Sequence, residues 1–99
     1  MAALHRVRSL IGPPEGELML EVQTRAWMAL REIMEPYRDA EDATVAIVSH
    51  GDVIRSLLVL LLGMPLDHIY RLEVAPASLN EVAFDGHYAR VIRINQLPF

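Results

Sequence analysis

The chain has 99 residues, 53% of them hydrophobic, with thirteen acidic and nine basic side chains for a formal net charge of −4, and no cysteine. A chain of this length is one small domain or a piece of a larger one, and without cysteine it forms no disulfide, no catalytic thiolate and no cysteine-ligated zinc site. All nine basic residues are arginines spread along the sequence, so the concentrated positive face that nucleic-acid binding needs is missing.

A mean hydropathy of +0.24 is high for so short a chain, because small domains have much surface to cover with polar groups; it calls for unusually good burial or for a partner. Met1 to Arg8 lacks an apolar stretch of signal-peptide length. The longest apolar run, Leu57 to Leu62, falls far short of the about 20 residues that span a bilayer. A soluble, cytoplasmic protein with no membrane partner is expected.

In chain order, residues 1–16 are expected to be an irregular or short-helix lead-in, broken by Gly12-Pro13-Pro14-Glu15-Gly16. A helix is predicted from Glu17, because Leu18, Val22, Ala26, Ala29, Leu30, Ile33, Met34 and Tyr37 recur at helical spacing while charged residues fall mostly elsewhere. Pro36 ends it or kinks its last turn. After the polar loop Asp39-Ala40-Glu41-Asp42, the run Thr44 to Val48 is short, β-branched and without polar alternation. That pattern predicts a strand buried on both faces of a parallel or mixed sheet.

A second helix is predicted over Asp52 to Leu62, closed by Gly63 with Pro65 beyond. It is apolar nearly all round and so should be covered on most of its circumference. A further helical turn is expected over Pro65 to Tyr70 and a short strand over Arg71 to Ala75. Leu79 to Phe84 and Ala89 to Ile94 are predicted strands joined by the turn Asp85-Gly86-His87-Tyr88.

The chemistry concentrates at His50-Gly51, where the predicted buried strand meets the N-terminus of the second helix. Backbone N–H groups there favour an anion, and a phosphate is the first candidate. Arg55, one turn into the helix, is expected to partner a loop carbonyl or a carboxylate rather than a phosphate. Ser49 has no triad acid in register, so its hydroxyl is expected to satisfy nearby backbone. Asp52 is expected to support the helix dipole, and as an anion it would oppose a phosphate if it faced the pocket. His68 and His87 are expected to be solvated. The four histidines, at 5, 50, 68 and 87, show no metal-ligand spacing, and neither a P-loop nor a dinucleotide fingerprint is present; no metal and no cofactor are expected.

Val-Ser-His-Gly-Asp-Val-Ile-Arg, followed by Leu-Leu-Gly-Met-Pro-Leu and later by Ala-Ser-Leu-Asn, and preceded by Pro-Pro-Glu-Gly-Glu and a helix, resembles the C-terminal half of the histidine phosphatase superfamily. The likeness runs over about residues 13 to 95 in the family's order of elements. It implies an α/β fold: part of the three-layer α/β/α phosphoglycerate-mutase-like architecture, a mixed sheet flanked by helices with the first half of the fold absent. Residues 1–99 would then be a single partial domain. It also implies phosphoryl transfer through a phosphohistidine, as phosphate monoester hydrolysis or mutase chemistry on a small phosphorylated substrate.

By this resemblance His50 matches the family's second histidine, which hydrogen-bonds a phosphoryl oxygen and stabilises charge in the transition state. Gly51 lets the backbone approach the phosphate, and Glu17 orders the loop and helix start. The family's Arg-His-Gly nucleophile motif does not occur in the 99 residues, and Leu4-His5-Arg6-Val7 reverses its order without the glycine. The chain alone is therefore expected to be inert, with Met1 standing where a full member would be about half finished. An unpaired sheet edge and an uncovered second helix would favour a homodimer or a domain-swapped oligomer. The alternative reading is a free-standing, non-catalytic module that binds a phosphorylated ligand or a protein partner.

Overall fold

A computed structural model describes residues 16–86 and 88–98, with side chains from Met19 onward. The chain divides into two units, residues 1–49 and 50–99. Residues 1–15 of the expected lead-in, with Leu4-His5-Arg6-Val7 in them, and His87 lie outside the described residues.

In the first unit, helix α1 spans Gly16–Met34. Its interior carries neither proline nor a second glycine, and its buried positions Met19, Val22, Ala26, Ala29 and Leu30 follow the three-and-four spacing of one helical face. That face is rotated slightly from the predicted stripe, so that Met19 and the polar Gln23 are inside. Pro36 has no N–H to continue the ladder. The α-helix accordingly stops at Met34, a 3-10 turn takes Glu35–Tyr37, and Tyr37 leaves the stripe for solvent.

Thr44 to Val48 corrects the prediction of a strand buried on both faces. No secondary structure forms there; Val45 and Ile47 are half-buried while their neighbours are exposed, and Val48 is 84% exposed. β-Branched composition supplies a preference for extended backbone, but a strand exists only through its ladder. Among the described residues none pairs with this segment.

In the second unit, helix α2 spans Gly51–Leu61. His50 is its N-cap, with extended φ −93° and ψ 156°, and its carbonyl accepts the first helical N–H, from Ile54, at 3.0 Å. At the other end the N–H of Gly63 bonds to the Leu60 carbonyl (3.1 Å) and that of Met64 to the Val59 carbonyl (2.8 Å). Together with φ +70° at Gly63 this is a Schellman closure, which needs a residue tolerant of left-handed backbone. The helix packs against a 3-10 turn, Leu66–Arg71, and against strand β2 (Tyr88–Gln96).

The buried face of α2 carries Val53, Ser56, Leu58 and Val59. The expectation of cover on most of its circumference agrees with the burial: within residues 51–61 Leu60 alone is exposed, at 40%, and Leu62, just beyond the helix, is 42% exposed.

The predicted strand over Arg71 to Ala75 is also absent. Arg71 closes the 3-10 turn, and the Leu72 and Val74 carbonyls, which a neighbouring strand would use, accept instead from the Arg55 side chain. A turn follows, with the Ser78 N–H bonded to the Ala75 carbonyl (3.1 Å). Pro76 is its second residue and Ala77, at φ +62°, its third, the position that favours glycine in a type II turn.

Strand β1 (Leu79–Asp85) pairs antiparallel with β2, placing Val82 opposite Val91, Phe84 opposite Ala89 and Asp85 opposite Tyr88. The hairpin loop is thus two residues long rather than four. Gly86, at φ +61°, supplies the positive φ that matches a short loop to the twist of its strands. The chain is α/β; among the described residues its sheet is this antiparallel pair.

Candidate functional site

The site is the corner where extended backbone at His50 turns into α2. The first N–H groups of a helix have no intrahelical partner, and the imidazole of His50 stands exposed beside them without making a capping hydrogen bond. Gly51 follows immediately. A Cβ built on it would meet Arg55 Nη1 at 3.3 Å and the Val74 carbonyl oxygen at 3.6 Å. The space that its missing side chain leaves is thus taken up by Arg55, a packing reason for glycine that the sequence does not show.

Arg55 fills both roles expected of it. Its Nη1 donates to Asp52 Oδ1 at 3.1 Å, and its Nε and Nη2 donate to the carbonyls of Leu72 (2.9 Å) and Val74 (3.5 Å). The guanidinium lies 5.7 Å from the centre of the Tyr70 ring, within reach of a cation–π attraction. Asp52, in the first turn of α2, suits the positive end of the helix dipole and is engaged by Arg55.

The segment that receives Arg55 is itself tied down by two asparagines. Asn95 Oδ1 accepts from the Ala75 N–H at 2.8 Å, and the Asn95 N–H donates to Asn80 Oδ1 at 2.8 Å. Asn80 closes the Ala-Ser-Leu-Asn run quoted for the family resemblance, whereas Asn95 looks in the sequence like an ordinary surface residue of a strand.

Of the other candidates, Glu17 lies in the first turn of α1, in the other unit, and its side chain is outside the described residues. His68 is half-buried in the 3-10 turn rather than solvated. Ser49 corrects the expectation of a satisfied hydroxyl: its Oγ is buried with no hydrogen-bond partner among the described residues. Among those residues no three His, Asp or Glu side chains gather as a metal site, and no helix is long and apolar enough to cross a membrane.

An exposed histidine on extended backbone, followed at once by the free N–H groups of a helix, can direct an imidazole and backbone donors at one anionic group. Comparison with known proteins gives this corner a context. The model of the histidine phosphatase superfamily (branch 1) matches residues 1–97. A protein of Hydrogenobacter thermophilus named "Putative phosphoserine phosphatase 2" is 24% identical over 84 residues, which are 85% of this chain and 39% of that protein. The solved structure of Bacillus stearothermophilus YhfR, phosphoglycerate-mutase-like in fold, superposes with a TM-score of 0.73 at 30% identity. That superposition covers 91% of this chain and 44% of YhfR. The chain thus spans about two fifths of the length of the relatives it matches, and with a family model matching nearly its whole length it belongs to branch 1 of the histidine phosphatase superfamily.

Proposed function

We propose that these 99 residues form a single partial domain that supplies the His50 side of a phosphate pocket in a cytoplasmic phosphoryl-transfer protein. The reaction is hydrolysis of a small phosphate monoester, or a mutase reaction, through a phosphohistidine. The observation that carries this is the corner itself: an exposed imidazole without a capping bond, at the N-cap of α2 in a chain of this family. His50 hydrogen-bonds a phosphoryl oxygen, and the N–H groups that begin at Gly51 meet the same charge as it develops, which is electrostatic stabilisation by donors already in place. Glu17 supports the start of α1. The residues contain no Arg-His-Gly, so the nucleophile has to come from outside them.

The purified chain is accordingly expected to show no turnover of an aryl phosphate or of O-phosphoserine. Inorganic phosphate is expected to shift the His50 imidazole and Gly51 amide resonances. Turnover that His50→Ala abolishes would overturn the expected inertness, and unmoved resonances would overturn the pocket.

The proposal extends to association. Val48 is exposed in a segment without a ladder partner among the described residues, and Leu60 on α2 and Leu62 just after it are exposed. A homodimer or swapped oligomer that pairs residues 44–48 and covers apolar surface removes both liabilities. Sedimentation equilibrium should show a concentration-dependent dimer; a monomer persisting at high concentration refutes the association.

A further inference from the structure

The helix that offers its N-terminus to an anion carries an anion of its own. Asp52 sits in the first turn of α2, where it favours the helix dipole but repels a phosphate bound at His50 and Gly51. Arg55 is the only arginine in α2, and its Nη1 holds the Asp52 carboxylate at 3.1 Å with side chains 17% and 31% exposed. Partial burial keeps such a pair from being fully screened by salt. The same guanidinium spans the Leu72 and Val74 carbonyls and occupies the space beside the Gly51 Cα.

We infer that Arg55 is a positioning residue for the phosphate corner: without touching the ligand, it fixes the His50–Gly51 turn against residues 72–74 and cancels the charge of Asp52. The inference rests on the reading that His50 and Gly51 receive a phosphate. Its two parts separate chemically. A lysine places a positive charge near Asp52 but is a point donor, without the planar fork that reaches two carbonyls and a carboxylate together. Charge compensation therefore survives Arg55→Lys, and the fixing of the corner does not.

The test uses the full chain and inorganic phosphate, with affinity read from the His50 and Gly51 resonances and rigidity read from exchange of the Ile54 amide, the donor to the His50 carbonyl. Arg55→Gln is expected to weaken phosphate binding about tenfold, the effect of one uncompensated charge at partial burial. Adding Asp52→Asn to it should restore most of the loss. Arg55→Lys should stay within about threefold of the parent affinity, yet Ile54 exchange should rise about tenfold in both Arg55 variants, with β1 and β2 amides unchanged as proof of folding.

Unchanged affinity and unchanged exchange in Arg55→Gln would overturn the inference. A double variant as weak as Arg55→Gln alone would overturn the charge role. If Arg55→Gln does not fold, Arg55→Lys decides: parent-like exchange at Ile54 overturns the positioning role. A parent chain whose His50 and Gly51 resonances ignore phosphate would refute the pocket reading instead, and Ile54 exchange, measured without phosphate, still decides whether Arg55 fixes the corner.

Discussion

Leu58→Ala is expected to destabilise residues 50–99 by about 2–5 kcal/mol, the range for removing a buried leucine side chain from a packed core. Leu58 is 3% exposed and belongs to the buried face of α2 together with Val53, Ser56 and Val59. Alanine is the strongest helix former, so the helix itself gains from the change and the whole loss comes from transfer and cavity. Set against the about 5–15 kcal/mol that holds a typical domain folded, this is a large share. Urea unfolding followed at the amides of β2 measures it, with the midpoint falling and the slope unchanged. Leu60→Ala is the control: Leu60 is 40% exposed, and its loss should stay below about 1 kcal/mol. Equal losses at the two positions would mean that the buried face of α2 is not the core of the unit.

Legibility in the sequence followed the range of the interactions involved. Pro36 and the Gly63-Met64-Pro65 sequence mark the helix ends because each acts on its own backbone, by removing a donor or by accepting a positive φ. Asp85-Gly86 announced the hairpin for the same reason. Thr44 to Val48 failed because a strand is defined by a partner, and no β-branched run contains that information. Residues 71–75 failed because Arg55, seventeen residues before Leu72, takes the carbonyls that a ladder would use.

At the site, His50 and Gly51 stood out through an ordered series of family cues. Arg55 was legible as the one strong cation in an apolar helix, which needs a carbonyl or a carboxylate wherever it is partly buried. Its particular acceptors, and the packing reason for Gly51, depend on how residues far apart in sequence meet. The same holds for Asn80 and Asn95.

Asn95→Ala is expected to cost about 2–5 kcal/mol, from two separable causes. Asn95 holds φ +59°, a left-handed conformation that asparagine tolerates and that costs alanine about 1–2 kcal/mol. Its Oδ1 is also the acceptor for the part-buried Ala75 N–H, and a donor left without its partner costs about 1–3 kcal/mol. Asn95→Gly keeps the conformation and loses only the side-chain acceptor. It should therefore be the milder variant, by about 1 kcal/mol after allowing for the extra backbone entropy that glycine surrenders on folding. Urea midpoints of the two variants check the order, and alanine no worse than glycine would show that the backbone there is not strained. The Ala75 N–H and the Val74 carbonyl belong to one peptide group, gripped by Asn95 on one side and by Arg55 on the other. Hydrogen bonds at the two ends of a peptide polarise and orient each other, so releasing the N–H frees the carbonyl to turn. At 3.5 Å the Val74 bond is the longest of the three that Arg55 makes, and it is the one that depends on Asn95. Faster exchange of the Ile54 amide in Asn95→Gly, without loss of the hairpin, is the expected sign that the hold on the His50 corner reaches back through Arg55 to the end of β2.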